Sequence, residues 1–503
     1  MHRVHADILR DPREHGEEVR AGDRARDPHH DHHGAGTEDP RGRRRREPPR
    51  AHRDGRDRGR IRGIDRGAGL VRVRLHGQRI PLEAPGEFPR DHHEPEGVMP
   101  HVVTSARSFD VVVIGAGPAG GYLAGKVAAA GYDVALVEEH REIGEPIQCG
   151  GLVTPRVFEY VRCKETIIGA VHGAELFSPS GRRLVIDGHR TQAVVVQRAM
   201  FDRAIATDAV RKGAHTFLGA QAQSARREDG RVDVSIDQDG APRTLRAKIL
   251  VGCDGVRSNV AKWFNILRPK KIVPGFEVEM TGVRGDAGFV KLFIGNEIAP
   301  GFFGWIIPSG DTARVGLCVG EGNAYAYLER MLQRPEVKQY TKGAQPILYI
   351  AGGIPLGFPR RTYADNVLVV GDAACQAKAV SGGGIFTSLT CSDFASRTVI
   401  EALEANDYSA RVLHRYHKAW TKSIGKELRK DLAIHESFAK LRDDQFEELF
   451  DIFDSPEMRV LIEKKGDIDF PSKVGWALIK EDPRLLKYVG KALRAMIAKN
   501  VGV

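Results

Sequence analysis

One stretch of about 30 residues constrains the fold more than any other part of the chain. Phe109–Ile114 is a continuous apolar run, typical of a strand buried on both faces, and it leads into Gly115-Ala-Gly-Pro-Ala-Gly120. A helical segment (121–130) and a second apolar run (133–137) follow, and the second run ends at Glu138. The order of strand, GxGxxG, helix, strand and acidic residue is the dinucleotide-binding fingerprint. It predicts a Rossmann-like α/β domain built on a parallel sheet.

Each residue of this fingerprint has a physical reason. Gly115 permits the tight turn, Gly117 lets a pyrophosphate approach the backbone, and Gly120 lets the helix pack on the sheet. Ala119 completes the predicted cofactor loop, and the helix N-terminus supplies free N–H groups and partial positive charge. Glu138 is predicted to accept hydrogen bonds from both ribose hydroxyls. Its charge would repel a 2′-phosphate, which argues against NADP at this site.

A second glycine-bearing turn favours FAD over NAD. The short apolar run 366–370 ends in Gly371-Asp372-Ala-Ala, which resembles the second FAD fingerprint of flavoprotein monooxygenases. Asp372 is predicted to hydrogen-bond the ribityl chain or to bridge to the pyrophosphate. Ser381-Gly-Gly383-Gly384-Ile385 then precedes a predicted helix over 386–395. The N–H groups of Gly383, Gly384 and Ile385 are expected to meet the flavin N1–C2=O edge.

Two further motifs complete the predicted cofactor site. Leu250–Ser258 contains an Asp254-Gly turn after a strand and ends in a Ser that can open a helix. Arg198 and Asp202, four residues apart, share one helical face. In isolation this pair reads as a surface ion pair; with the other motifs, we predict that Arg198 and Asp254 belong to the FAD site.

Together these motifs resemble the FAD-binding domain of the group that includes p-hydroxybenzoate hydroxylase. Residues 143–154 (IGEPIQCGGLVT) resemble the Cys-Gly-Gly loop of geranylgeranyl reductases, and residues 300–308 (PGFFGWIIP) are similar to the PxxYxWxFP motif of their archaeal members. Phe303 stands where Tyr is usual and Ile307 where Phe is usual. The resemblance covers residues 108–400 well, and it points to the archaeal digeranylgeranylglycerophospholipid reductases.

The resemblance implies a reaction in which reduced FAD saturates the C=C bonds of a geranylgeranyl chain during archaeal membrane lipid synthesis. It implies that Cys149, with Gly150 and Gly151, lies near the flavin. Cys149 is there a proton donor, a substrate gate or simply a small residue that permits close approach. Phe303 and Trp305 form the wall of a prenyl tunnel or, equally, ordinary sheet core. We therefore predict Cys149, Phe303 and Trp305 as the catalytic residues.

The remaining pattern predicts a mixed α/β architecture in three parts. The FAD-binding domain is expected to be discontinuous (108–165, 190–265 and 355–400). An inserted antiparallel-sheet substrate domain is expected over 166–189 and 266–354, followed by a helical region over 401–503. A last basic amphipathic helix is predicted to lie on an anionic membrane surface or to pack on the core, with one apolar face formed by Leu485, Leu486, Val489, Leu493, Met496 and Ile497.

Composition divides the chain sharply. It has 76 Lys plus Arg against 66 Asp plus Glu, a formal charge of +10, but residues 1–98 hold 22 Arg and no Lys. That segment has too few large apolar side chains to fold, so it is predicted to be disordered. It suits a nucleic-acid-binding tail or, as we favour, upstream DNA read in frame before a start at Met99. We therefore expect no nucleic-acid partner.

Other features narrow the partners and leave alternatives open. Six Cys without a CxxC argue against a zinc site. The chain lacks an uncharged apolar run of 18 residues, so we expect a cytoplasmic protein that is either free or peripheral at the inner face of the membrane. No second GxGxxG follows a strand, so the electron donor must dock transiently; NADPH, ferredoxin and a deazaflavin all remain open. The alternatives are a chlorophyll-type geranylgeranyl reductase, a flavin-dependent aromatic hydroxylase or halogenase, and a non-enzymatic basic binding protein.

Overall fold

A computed structural model describes residues 106–266, 269–490 and 494. The predictions for residues 1–98, for a start at Met99 and for Leu493, Met496 and Ile497 lie outside this part of the chain. The strands of the described part are β1 (Arg107–Ile114), β2 (Val134–Val137), β3 (Leu152–Val153), β4 (Ile167–Val171), β5 (Gly173–Phe177), β6 (Arg183–Asp187), β7 (Ala193–Val196), β8 (His215–Phe217), β9 (Ala220–Glu228), β10 (Arg231–Gln238), β11 (Ala241–Gly252), β12 (Lys271–Thr281), β13 (Phe289–Phe293), β14 (Gly304–Ser309), β15 (Thr312–Cys318), β16 (Gln345–Leu356), β17 (Tyr363–Ala364) and β18 (Val367–Val369).

The helices lie mostly in the flavin-type fold and in the C-terminal region. They are α1 (Pro118–Ala129), α2 (Arg198–Arg211), α3 (Asn259–Trp263), α4 (Ala324–Gln333), α5 (Pro335–Thr341), α6 (Ile385–Glu404), α7 (Ala410–Lys422), α8 (Gly425–Phe438), α9 (Asp443–Phe453), α10 (Pro456–Lys465) and α11 (Pro471–Glu481). Short 3-10 helices add Pro155–Glu159, Lys164–Thr166, Gly371–Ala374 and Pro483–Tyr488.

The first sheet has eight strands and a parallel centre. Its order is β17-β18-β11-β1-β2-β8, and β18, β11, β1, β2 and β8 pair in parallel, as the buried apolar runs predict. The first half of β11 also pairs with β10, and β10 pairs with β9. This antiparallel extension was not predicted from the sequence. Helices α1 and α6 pack together on one face of the parallel centre.

Small residues let the helices of this layer approach closely. Helix α1 begins at Pro118, whose missing N–H costs nothing in the first turn. A side chain at Gly125 of α1 would lie 3.2 Å from the Cα atom of Ala209 in α2. The glycines of α1 therefore set the close α1–α2 contact, at some cost in helix propensity.

The second sheet has seven strands in the order β16-β12-β15-β14-β13-β5-β6. The predicted antiparallel pattern holds except at one pair, because β5 runs parallel to β13. The reason is connectivity: β5 arrives from an earlier stretch of chain, whereas β13, β14 and β15 follow one another as a meander and β12 and β16 extend it at the far edge. Strand β4, which we grouped with this sheet, pairs instead with β7 in a separate three-stranded sheet.

The C-terminal region is helical, as predicted, but its last described part is not one regular amphipathic helix. Leu485 is buried in the 3-10 helix Pro483–Tyr488, Leu486 is partly exposed, and Val489 is extended. The expected shared face of Leu485, Leu486 and Val489 is therefore wrong, because Pro483 and the Asp482 side chain start a tighter turn of about three residues. Within the described residues, none of the helices has the length and apolar character needed to cross a membrane.

Candidate functional site

A cavity of about 1,050 Å³ opens at the carboxyl ends of β1, β2 and β18 and is closed on the far side by the seven-stranded sheet. This is the edge at which open α/β sheets bind ligands. All predicted site residues line it apart from Gly120. Those that do are Gly115, Gly117, Ala119, Glu138, Cys149, Gly150, Gly151, Arg198, Asp254, Phe303, Trp305, Asp372, Gly383, Gly384 and Ile385.

The three fingerprint glycines meet three different steric demands. Gly115 has φ +97°, and a side chain there would fall 2.4 Å from the carbonyl oxygen of Cys253. At Gly120 a Cβ would lie 1.9 Å from the carbonyl oxygen of Gly115, so this residue packs helix against turn and does not face the cavity. At Gly117 a Cβ would meet nothing within 4 Å. The protein itself leaves that position open, which is what close approach of a phosphate requires.

The two glycine-bearing turns converge on this one cavity. A Cβ at Gly371 would lie 3.2 Å from Cβ of Ala119, and Ser392 of α6 donates a hydrogen bond to the Ala119 carbonyl oxygen (3.0 Å). The N-termini of α1 and α6 therefore open side by side, and each first turn has N–H groups without an intrahelical acceptor. We call Gly115, Gly117, Gly383 and Gly384 the glycine wall of the cavity.

Glu138 is held in place by the fingerprint turn. Its Oε2 accepts a hydrogen bond from the backbone N–H of Ala116 (2.8 Å), and its Oε1 accepts one from the N–H of His140 (3.1 Å). The His140 ring nitrogen Nδ1 lies 2.6 Å from the same Oε1. The carboxylate is thus fixed at the end of β2, and Oε2 keeps a second lone pair for a ligand.

Arg198 and Asp202 form a buried ion pair. The guanidinium Nη2 donates to both carboxylate oxygens of Asp202 (3.0 and 2.8 Å), and the two side chains are only 13% and 8% exposed. Reading the pair as a surface contact is therefore wrong, because the start of α2 faces the cavity. Burial raises the pKa of Asp202, and Arg198 opposes that shift. The Nε atom of Arg198 has no hydrogen-bond partner among the described residues.

The two predicted aspartates differ in how they are used. Asp254 caps α3: it accepts hydrogen bonds from the Ser258 hydroxyl (2.6 Å) and from the N–H groups of Asn259 (2.6 Å) and Val260 (3.0 Å). Its side chain is thereby largely satisfied within the protein. Asp372 faces the cavity instead, and burial raises its pKa to about 6, with Arg198 opposing the shift. Asp372 is the carboxyl group that is more available to a ligand.

The opposite side of the cavity is lined by aromatic side chains. Phe302 and Phe303 stack with ring centroids 4.7 Å apart, and Trp305 lies edge-on to Phe303 at 6.1 Å. Trp305 Nε1 donates a hydrogen bond to Oε2 of Glu277 (3.0 Å). We call Phe302, Phe303, Trp305 and Glu277 the aromatic wall.

Glu277 is a cavity residue that the sequence reasoning missed. It is 3% exposed and lines the cavity from the middle of β12. A signal was present in the chain: Glu277 and Glu279 alternate with Val278 within an otherwise apolar strand, which places both acids on one face. Nothing in that alternation says which face meets the ligand.

Cys149 lies where the two walls meet. Its carbonyl oxygen accepts a hydrogen bond from Nη1 of the buried Arg314 (2.9 Å), and its Sγ accepts one from the N–H of Gly151 (3.4 Å). Cys253 and Cys318 also line the cavity. Burial raises the pKa of both thiols well above its usual value, which keeps them protonated and unreactive.

The C-terminal region contributes a further part of the cavity that the sequence did not indicate. Asp469, which is 1% exposed, accepts hydrogen bonds from Thr154 Oγ1 (2.5 Å), Arg156 Nη1 (3.1 Å) and Lys378 Nζ (2.7 Å). Lys378 precedes the glycine wall, and Arg156 follows the Cys149 loop. One buried carboxylate therefore joins three distant segments at the rim of the cavity.

Comparison with known proteins matches two consecutive family models to this chain. A model described as FAD binding domain matches residues 108–277, and one described as geranylgeranyl reductase catalytic domain matches residues 272–354. The first contains the fingerprint turn and the Cys149 loop. The second contains the aromatic wall, and the two overlap at Glu277.

Curated relatives and solved structures agree with these models. The chain is 33% identical over 389 residues to the digeranylgeranylglycerophospholipid reductase of Methanocaldococcus jannaschii, covering 76% of this chain and 97% of the relative. A geranylgeranyl bacteriochlorophyll reductase-like protein from Thermoplasma acidophilum is similar in structure, with TM-score 0.66, 25% identity, and coverage of 76% of this chain and 100% of that one. A flavin-dependent brominase, at 18% identity, TM-score 0.59, and coverage of 75% and 100%, shares the fold.

Proposed function

The chain belongs to the geranylgeranyl reductase family, and we propose that it saturates the C=C bonds of geranylgeranyl chains on digeranylgeranylglycerophospholipids, with FAD as its cofactor. One observation carries this proposal: a single cavity joins two flavin-type glycine turns to an apolar, aromatic wall. Such a cavity suits a nucleotide cofactor that lies beside an apolar substrate. The reaction is that of an oxidoreductase acting on CH–CH groups in membrane lipid synthesis.

The residues present fit FAD. The open position at Gly117 and the N-terminus of α1 suit the pyrophosphate, and Glu138 suits the ribose hydroxyls. Asp372 offers its carboxyl group to the ribityl chain or the pyrophosphate. The N-terminus of α6, at Gly384 and Ile385, offers N–H groups and partial positive charge to the flavin N1–C2=O edge. We infer these contacts from the exposure of the groups to the cavity.

An isolated trisubstituted alkene has no polar group that a protein can grip. When bound, the reduced flavin supplies the hydride that such a bond needs. The protein must therefore hold the chain in position and keep water away from it. Phe302, Phe303 and Trp305 provide a flat apolar surface for that purpose, and Cys149 lies between this surface and the glycine wall. Because position 303 lacks the usual Tyr hydroxyl, we assign Phe303 a packing role against the chain.

A direct test uses the purified protein loaded with FAD and reduced with dithionite under anaerobic conditions. Incubation with geranylgeranylated glycerol phosphate should give products heavier by two hydrogens per saturated bond. Well-loaded, fully reduced protein that leaves the lipid mass unchanged would contradict the proposal. Admission of air to a parallel sample tests the hydroxylase alternative, which predicts oxygen consumption coupled to a hydroxylated product.

We propose further that the protein meets the membrane through the edge of its second sheet. Strand β16 is an edge strand, and Ile347, Leu348 and Tyr349 are 58%, 41% and 57% exposed. Ile350, next in the chain, lines the cavity. Consecutive exposed apolar residues on an edge strand are unusual on a protein surface, and here they adjoin the cavity. Flotation with phospholipid vesicles should be lost in an Ile347→Ser, Tyr349→Ser variant that retains its flavin.

We also propose that the electron donor docks transiently, since the described cavity is shared by flavin and lipid. NADPH, reduced ferredoxin and a reduced deazaflavin are the chemical classes to compare. Each is mixed anaerobically with the oxidised holoprotein, and bleaching of the flavin absorbance identifies the donor. A donor that bleaches the flavin in the presence and absence of lipid acts independently of substrate binding.

A further inference from the structure

The backbone around Glu277 leaves space for its side chain in the middle of a sheet. It lies in β12 between β15 and β16, where it is paired with Gly316 and Ile350. A Cβ at Gly316 would fall 2.3 Å from Cβ of Glu277, so the glycine makes room for the base of the Glu277 side chain. A Cβ at Gly150 would lie 3.4 Å from Oε2 of Glu277. The acid therefore reaches the Cys-Gly-Gly loop, where the two walls of the cavity meet.

The two oxygens of Glu277 are not equivalent. Oε2 accepts the hydrogen bond of Trp305 Nε1 (3.0 Å), whereas Oε1 is buried and has no hydrogen-bond partner among the described residues. A charged carboxylate oxygen that is buried without a donor costs more than a neutral O–H group buried there without an acceptor, so this geometry favours the protonated acid. Burial raises the pKa of Glu277; Arg314 and the Trp305 hydrogen bond oppose the shift.

The surroundings of Glu277 explain why its charge is not cancelled. Arg314 offsets only part of the effect of burial, because its charge is shared: its Nη1 donates to the carbonyl oxygen of Cys149 and its Nε lies 3.5 Å from Glu279, whose own charge raises the pKa of Glu277. The buried Arg198 is paired with Asp202. The titratable and charged groups that face Glu277 from the packed elements are Arg314 and Cys318 of β15, Glu279 of β12, Arg198 of α2 and Cys149 of the loop.

We propose that Glu277 is the general acid of the saturation reaction, holding the proton that is delivered to one carbon of the C=C bond. The inference rests on the proposed function. One new C–H bond forms with this proton while the O–H bond of Glu277 breaks. The hydride and its electron pair form the other C–H bond and come from the reduced flavin. The carboxylate that remains then regains a proton from solvent, so atoms and charges balance.

The test pairs Glu277→Gln with Glu279→Gln. Gln keeps the shape and accepts the Trp305 hydrogen bond but has no acidic proton. Glu279 lies on the same strand face, is bound by Thr312 (2.8 Å), and does not line the cavity, so it is a matched control. In anaerobic single turnover of the reduced holoprotein with geranylgeranylated glycerol phosphate, we expect E277Q to slow saturation by about 10²–10⁴-fold. We expect E277D to recover part of the rate, and we expect E279Q, which removes a neighbouring charge but no proton donor, to slow saturation far less than E277Q.

Two readouts distinguish an acid from a packing residue. The rate for the parent protein should fall as pH rises through the pKa of Glu277, and that pH dependence should be absent in E277Q. Infrared spectra of the flavin-free protein at pH 7 should show a protonated carboxyl C=O band that E277Q lacks and E279Q retains. A Glu277 that is ionised at pH 7, or an E277Q variant as fast as the parent, overturns the inference and leaves the reductase function intact. If the parent protein itself saturates nothing, the proposed function fails, and the infrared band alone decides whether Glu277 stores a proton.

Discussion

The two walls of the cavity recognise their ligands by opposite means. The glycine wall presents backbone N–H groups and almost no side chains, because positions such as Gly117 are valuable for the space they leave. The aromatic wall presents the side chains of Phe303, Trp305 and Glu277. It offers few free backbone groups, because the N–H and C=O groups of its strands are hydrogen-bonded to neighbouring strands. A phosphate and a flavin edge can be held by peptide groups, whereas an alkene chain has to be held by shape.

This difference predicts different failures. A side chain added to the glycine wall should remove the cofactor without harming the fold. A side chain removed from the aromatic wall should leave the cofactor bound and slow the chemistry.

The largest expected effect on cofactor binding comes from Gly117→Ala. Its Cβ meets nothing within 4 Å in the protein, so the free energy of unfolding of the flavin-free form should not change. The methyl group occupies the space of the pyrophosphate, so FAD affinity should fall by about 10²–10³-fold, or roughly 3–4 kcal/mol. Flavin titration and urea unfolding of the flavin-free protein measure the two quantities.

Gly120→Ala is the control for that prediction. Its Cβ would lie 1.9 Å from the Gly115 carbonyl oxygen, so it should destabilise the flavin-free fold by about 1–3 kcal/mol. If Gly117→Ala unfolds the protein and Gly120→Ala does not, the glycine wall does not work as described.

The next effect concerns Asp431, which holds the chain just before Gly383 and Gly384 of the glycine wall. Asp431 of α8 accepts a hydrogen bond from the Val380 N–H (3.1 Å), is fully buried, and has its pKa raised to about 6 by burial. Because its folded pKa exceeds the unfolded value of about 3.9, the folded state binds the proton more tightly, and this group costs stability progressively as pH rises from about 4 to 6. Asp431→Asn should therefore stabilise the protein by about 1–3 kcal/mol at pH 7.5 and by less at pH 4.5. Urea unfolding at the two pH values measures it, and a gain that does not grow with pH would contradict the assignment.

A smaller effect is expected from Trp305→Phe in the aromatic wall. The variant loses the Nε1 hydrogen bond to Glu277, and with it the positioning of that carboxyl group. Flavin content should stay unchanged, while single-turnover saturation should slow by about tenfold, equivalent to roughly 1.4 kcal/mol in the barrier. A variant that loses its flavin would show that the aromatic wall also holds the cofactor.

The smallest effect should follow Cys149→Ala. The hydrogen bond from Arg314 reaches the carbonyl oxygen of Cys149, which the substitution keeps, and only the long contact from the Gly151 N–H to Sγ (3.4 Å) is lost. If Glu277 supplies the proton, saturation should slow by less than about threefold. A loss of saturation rate as large as that of E277Q would instead indicate that the Cys149 thiol donates the proton. Single-turnover rates for the two variants, side by side, decide between them.

Short local patterns in the sequence predict much of the fold and the glycine wall of the cavity. The turn at Gly115–Gly120, the helix after Gly384 and the cap at Ser258 depend on neighbours a few residues away, so short motifs predict them. The parallel pair β5–β13, the exposure of Arg198 to the cavity and the inclusion of Glu277 depend on how distant segments meet. No spacing along the chain encodes those contacts, and the resemblance placed Phe303 and Trp305 without indicating the acid beside them.

The shared carboxylate of Asp469 has a consequence for swapping parts among relatives. It binds Thr154, 315 positions earlier in the chain, and Lys378 in front of the glycine wall. A chimera that exchanges only the helical region over 401–503 would pair a foreign acid with the resident cations, or leave Lys378 buried without a counter-ion. A chimera therefore has to take positions 154, 156, 378 and 469 from the same parent protein. The C-terminal helical region cannot be exchanged on its own.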